Sequence, residues 1–223
     1  MPALPAPAPG EPLRFAFWGG VGRHKGVDVL LRAFRAVHED RGGRAELHVL
    51  GGFESDAFGD ELTALADGLP VTFHGAFDPA QLHAVAPHVG VFPSTCLETF
   101  GIVLDECFEL GLPCITSDLG ALPERACGAG LAVAAGDAAA LAAALRRLID
   151  EDGLWAELAA RIPPLPPDLA AHVDAIEAIY EEARAAPPRQ PQFEPVAPSR
   201  RRAFWQQLCA DEQSGRMPPG PPR

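Results

Sequence analysis

Two acids eight residues apart, Glu98 and Glu106, frame the stretch Glu98-Thr99-Phe100-Gly101-Ile102-Val103-Leu104-Asp105-Glu106. Glu98 sits on a loop, and Phe100-Gly101 opens a helix that carries Glu106 about a turn and a half in, so both carboxylates can line one crevice. Glu106 shares its helical face with Val103, Cys107 and Leu110. A carboxylate in an apolar arc costs several kcal/mol unless it is partnered. Ligand hydroxyls satisfy it, and so does a structural bridge to an Arg, a Lys or the backbone. Asp105 and Glu109 fall on the polar face and read as ordinary solvated acids. The unpaired amides of Thr99, Phe100 and Gly101 offer donors at the helix start. Acceptors for hydroxyls beside donors for phosphate suit a ligand that combines a sugar with a diphosphate.

A second loop, Gly19-Gly20-Val21-Gly22-Arg23-His24-Lys25-Gly26, follows an apolar run and leads into a helical pattern. Glycines permit close backbone approach, and Arg23 and Lys25 place cations where an anion would sit. The loop is neither a Walker sequence nor a complete G-x-G-x-x-G, since Lys25 stands at the last glycine position. An anion cradle and a plain turn with solvated Arg and Lys are both consistent with it.

The elements that must hold these loops alternate. Phe15–Trp18, Leu47–Leu50, Val71–Phe73, Val89–Phe92, Pro113–Thr116 and Leu131–Val133 are short apolar runs bounded by Gly, Pro or Asp,. Between them, Val27, Leu30, Leu31, Phe34 and Val37 mark one face of a helix from Val27 to His38. Leu62, Leu65 and Leu69 mark a second helix, Gln81 to His88 a third and Ile102 to Leu110 a fourth. Asp137 caps a fifth, to Ile149, and two more cover Gly153–Ile162 and Pro167–Arg184. Near-continuous apolar strands alternating with helices predict an α/β fold, a doubly wound parallel sheet of Rossmann-like type in one domain over 13–185. Ligands of such sheets bind beyond the carboxyl ends of the strands, where both loops lie. Residues 1–12, with five prolines, read as a linker or arm. Residues 186–223 carry nine prolines and read as a largely disordered tail, in which Arg200–Leu208 can form a short amphipathic helix,.

Composition narrows the partners. A net charge of −12 argues against nucleic acid or an anionic membrane surface,. No run reaches transmembrane length and no signal peptide opens the sequence, so a cytoplasmic location is expected. Five cysteines without a C-x-x-C pair suggest neither a disulfide framework nor a metal site,. Four of them sit among apolar residues and read as small buried hydrophobes.

Taken together, the glycine loop with Lys25-Gly26, Pro93-Ser94 followed by Glu98, Phe100-Gly101 with Glu106, Gly111-Leu112-Pro113, Ser117-Asp118, Gly120 to Glu124 and Gly136-Asp137 resemble a known pattern. It is that of the C-terminal, donor-binding domain of family 4 glycosyltransferases, one half of the two-domain GT-B fold. The resemblance implies retaining, metal-independent transfer from a nucleoside-diphosphate sugar, with no cofactor. It assigns Lys25 to the diphosphate, Glu98 to the sugar ring and Glu106 to the ribose hydroxyls. The amides of Thr99, Phe100 and Gly101 would meet sugar and phosphate, with Gly19, Gly20, Gly22, Arg23 and Ser94 completing the donor surface. Lys25 and Glu98 are thus the catalytic candidates, and no metal ligand is implied.

Two departures qualify the resemblance. The family has an arginine five residues before the lysine, where this sequence has Gly20; Arg23 is the candidate substitute. The family's acceptor-binding N-terminal domain would need well over a hundred residues ahead of Leu13, where twelve stand. An upstream or separate N-terminal partner is therefore expected, and any peripheral membrane association would come through it. A non-catalytic nucleotide-sugar-binding module is the alternative. A dinucleotide-dependent oxidoreductase fits less well, because Gly51-Gly52 stands where that class carries an acid.

Overall fold

Six apolar runs pair into one parallel sheet, because strands buried on both faces need helical crossovers to bring each next strand in alongside. The computed structural model describes residues 2–76, 78, 80–164 and 169–186. Its strands are β1 (Leu13–Trp18), β2 (Ala45–Leu50), β3 (Val71–Phe73), β4 (Val89–Phe92), β5 (Cys114–Ser117) and β6 (Gly130–Val133). Their order is β3-β2-β1-β4-β5-β6. Every pairing is parallel, with Phe15 opposite both Leu47 and Val89. The expected α/β, doubly wound, Rossmann-like sheet is what forms. Burial follows position in it: β4 and β5 are wholly buried, whereas the edge strands β3 and β6 leave Thr72 and Ala132 exposed.

The crossovers are α1 (Val27–Arg41), α2 (Asp56–Leu65), α3 (Ala80–Val85), α4 (Val103–Glu109), α5 (Ala121–Ala126) and α6 (Ala138–Asp150), followed by α7 (Leu154–Ala159). Val27, Leu30, Leu31, Phe34 and Val37 are the buried face of α1. Asp137 caps α6, accepting from the amides of Ala139 and Ala140 at 2.9 Å each. α1 and α6 meet, and Arg146 donates to the Ala36 carbonyl at 3.0 Å across them.

Several helices differ from their expected spans, and for α2 and α3 a following proline supplies the reason. α2 begins beyond Ser55, whose hydroxyl caps the Phe58 amide, and stops at Leu65. Leu69 lies outside it because Pro70 bars the preceding residue from helical geometry. α3 ends at Val85 for the same reason: Pro87 follows, and Ala86 turns to φ 47°. His88, expected at a helix end, is instead fully buried just ahead of β4. The cysteine expectation also needs correction. Cys107 and Cys114 are buried, but Cys96 is half-buried and Cys127 is exposed.

The chain divides into two compact units, 1–166 and 167–223. In the first, the proline-rich arm has a fixed course, with the Leu4 amide donating to the Leu110 carbonyl at 2.8 Å. In the second, α8 (Leu169–Ala185) carries Val173, Ile176 and Tyr180 at helical spacing. The Arg200–Leu208 segment lies outside the described residues. Among the described residues no helix is long and apolar enough to cross a membrane.

Candidate functional site

Strand order reverses between β1 and β4, and the two loops singled out in the sequence leave the carboxyl ends of these neighbouring strands. A crevice opens there because successive crossovers depart to opposite faces. The β1 loop forms a single 3-10 turn over Arg23–Lys25, closed by Gly26 at φ 71°. A Cβ at Gly26 would stand 2.1 Å from the Pro93 carbonyl oxygen, so only glycine allows the approach,. The Thr95 amide then donates to the His24 carbonyl at 2.9 Å, tying the two loops together.

That junction brings together residues 73 apart in sequence. Lys25 Nζ donates to Glu98 Oε1 at 2.6 Å. Ser94 Oγ, on a nearly buried side chain, donates to the same oxygen at 2.8 Å. Burial would raise the Glu98 carboxyl, but the hydrogen bonds from Lys25 and Ser94 outweigh it and hold it below its ordinary value,. The Glu98 backbone is fixed from behind: its carbonyl accepts from the Ala121 amide at 2.9 Å. Gly120, at φ 63°, lies so close that a Cβ would meet the Glu98 carbonyl oxygen at 2.4 Å.

A cavity of about 330 Å³ opens over this pair. Gly19, Gly20, Lys25, Ser94, Glu98, Thr99, Phe100 and Gly101 all line it, so eight of the expected site residues converge. Phe17, Trp18 and Phe92 form an apolar wall. Lys25 is the one cation lining it among the described residues. The amides of Thr99, Phe100 and Gly101 donate to no acceptor among the described residues. α4 begins at Val103 rather than at Phe100, and its seven residues give it a small dipole. What the loop offers a ligand is therefore free N–H groups.

Three expected residues lie outside the lining. Gly22 closes onto His24 and Glu54. Arg23 turns to the surface, bound to Glu61 at 2.6 Å and lying 4.5 Å from the centroid of the Phe58 ring. Glu106 sits behind the wall, where Trp18 Nε1 donates to its Oε2 at 2.8 Å. Asp105, read as a solvated acid, pairs with Arg125.

Two residues escaped the sequence reading. Trp18 looks like plain core and is 1% exposed, yet it both walls the cavity and supplies the partner that Glu106 requires. A buried indole N–H needs an acceptor, and that was the available signal. Arg125, on α5, lies 3.8 Å from the centroid of the Phe100 ring and donates to the Phe100 carbonyl at 2.9 Å. It braces the loop from outside.

Comparison with known proteins gives a family and a set of folds. The family model described as "Glycosyl transferases group 1" matches residues 12–151. No curated protein matches the chain by sequence. Sucrose-phosphate synthase from Thermosynechococcus elongatus is 26% identical, with a TM-score of 0.63 over 79% of this chain and 47% of that one. HepE of Anabaena, solved with UDP and glucose, is 20% identical at a TM-score of 0.63, over 79% and 49%. The lipopolysaccharide outer core galactosyltransferase WaaB, in its apo form, gives 20% and 0.63 over 81% and 52%. The chain spans about half the length of these structures, and its sheet matches one half of a GT-B glycosyltransferase.

Proposed function

The chain belongs to the group 1 glycosyl transferases, and from that premise we propose that its cavity is the donor site of a retaining, metal-independent transferase of the family 4 type. In this reading the domain is the C-terminal half of a GT-B enzyme, and a second domain, upstream or on another chain, binds the acceptor. The observation that carries it is the meeting of Lys25, Ser94 and Glu98 with the free amides of Thr99, Phe100 and Gly101 in one cavity at the sheet's switch point.

Each group then has a task. Lys25 and the free amides neutralise the diphosphate as it leaves, an electrostatic stabilisation that grows with the charge it opposes. Glu98 faces the sugar ring and accepts its hydroxyls. Glu106 lies outside the lining and is held through Oε2 by the Trp18 indole, which leaves Oε1 as the acceptor assigned to the ribose in this reading. Two buried thiols, Cys107 and Cys114, the latter's pKa pushed up to about 12 by burial, fit a reducing cytoplasm,. HepE was solved with UDP and glucose, so a uridine nucleotide is the first donor to try.

A second reading, a nucleotide-sugar-binding module without turnover, draws support from the single lining cation and from Gly20. Thermal shift of the full chain in EDTA tests the binding that both share. Nucleoside diphosphates of U, G and A, and their glucose conjugates, are the panel. At least one conjugate should raise the midpoint, since a ligand of the folded state alone stabilises it. No shift with any member would sink the donor-site reading. Sugar transfer that appears only when an acceptor domain is supplied would favour the enzyme over the module.

A further inference from the structure

Resting on the donor-site reading, we infer that Glu98 couples the two ends of the ligand: it holds Lys25 and gives it up when sugar hydroxyls take the lysine's place. The starting observation is a charge balance. One cation lines the cavity among the described residues, and it is already paired with a carboxylate at 2.6 Å. The pair is largely withdrawn from water, the Lys25 and Glu98 side chains being 28% and 18% exposed. Gly20 adds no charge, and Arg23 is committed to Glu61.

A diphosphate entering such a site meets no net positive charge. Lys25 keeps N–H donors for it, but the phosphate then competes with Glu98 for a single positive charge,. The pull weakens the hold on a sequestered carboxylate whose other donor among the described residues is Ser94, and it sets a second anion close by,. A free nucleoside diphosphate therefore binds against a penalty. A nucleotide sugar does not, because its ring hydroxyls arrive with the diphosphate and donate to Glu98. Oε2 receives no donor among the described residues, and Oε1 is vacated by Lys25. The sugar thus raises the affinity of the phosphates it is attached to.

The same linkage serves product release. Once the sugar has left the diphosphate, the hydroxyl donors depart with it. Glu98 is again under-partnered and recaptures Lys25, which loosens the nucleoside diphosphate. Glu98 is in this account the residue by which the site distinguishes donor from spent nucleotide, and its effect on the two ligands has opposite sign.

Glu98→Gln separates the signs, since the amide keeps the size and a contact with Ser94 but no longer neutralises Lys25. Calorimetry of the full chain in EDTA would use inorganic pyrophosphate, UDP, GDP, ADP and the three glucose conjugates. In the variant, pyrophosphate and the nucleoside diphosphate of the binding series should bind roughly three- to tenfold tighter, the strength of a partly screened ion pair. The preference for conjugate over free diphosphate should fall by about tenfold, as hydroxyls lose a charged acceptor. Glu98→Asp, which keeps the charge, should show no tightening of pyrophosphate. Weaker or unchanged binding of pyrophosphate and UDP to Glu98→Gln, while the wild-type chain binds the conjugates, would overturn the coupling and leave the donor site standing. If the wild-type chain binds none of these ligands, both readings fail together.

Discussion

The two ends of this sheet are built from similar polar residues and handle them in opposite ways. At the amino ends of β1 and β4, His88 is fully buried, and its Nδ1 accepts from the Arg14 amide at 3.1 Å. Arg14 Nη2 stands 2.6 Å from His88 Nε2, Arg14 Nε donates to the Ala86 carbonyl at 2.8 Å, and Glu11 Oε1 closes the group 3.2 Å from His88 Nε2. Trp155 Nε1 donates to the His88 carbonyl at 2.8 Å. At the carboxyl ends of the same strands, three amides donate to nothing among the described residues, and the Lys25–Glu98 ion pair has a cavity in front of it. Polar groups gathered on a buried ring hold a fold together, and groups left without partners beside open space are available to a ligand. Disturbing the first end should change stability without changing affinity, and disturbing the second should do the reverse.

Acid should produce the largest effect. Burial, with help from the Arg14 cation and against the Glu11 carboxylate, pushes the His88 pKa down from 6.5 to about 4. A histidine whose pKa is lowered by folding stabilises the native state fully above its unfolded pKa. That stability is lost as pH falls from about 6.5 towards 4, because the unfolded chain binds the proton first. His88 alone should cost the fold about 3 kcal/mol across that window. His48, whose pKa is also lowered by burial and by His74, acts in the same direction. Urea unfolding at pH 7 and pH 4 checks the loss. A His88 ring that titrates near 6.5 in the folded protein would break the comparison.

A smaller effect belongs to the other end. Gly20 lines the cavity, its φ is outside the left-handed region, and a Cβ there meets nothing within 4 Å. Gly20→Arg should therefore be accommodated and give the diphosphate a cation of its own. Binding of UDP or its counterpart should tighten by about tenfold, with the unfolding midpoint hardly moved. Weaker binding would mean that the diphosphate does not pass this wall.

How much of this was legible in the sequence follows the range of the forces involved. β3 and β4 have the bounds that their apolar runs set, and Asp137 caps α6 as its type and place imply. These depend on neighbours in the chain. α3 was overrun because apolar spacing continued into His88, although Pro87 carried the opposite signal. The gathering of Lys25, Ser94 and Glu98 could be anticipated because both loops follow strands at a switch point. Arg23 could not be placed, since its choice of Glu61 over the cavity depends on α2 lying alongside. Glu106 was recognised as needing a partner, but that partner, Trp18, stands 88 residues away and looked like core. Local pattern showed which groups were in want of a contact, and tertiary packing decided who supplied it.

Everything proposed for the cavity depends on Lys25 being its anion-binding group. Calorimetry in EDTA, comparing the wild-type chain with Lys25→Ala for the nucleotide sugar that gives the largest thermal shift, tests it most directly. Loss of a charge-assisted contact to phosphate should weaken binding by about 30- to 100-fold while the unfolding midpoint stays near that of the wild type. An unchanged dissociation constant in Lys25→Ala would contradict the account.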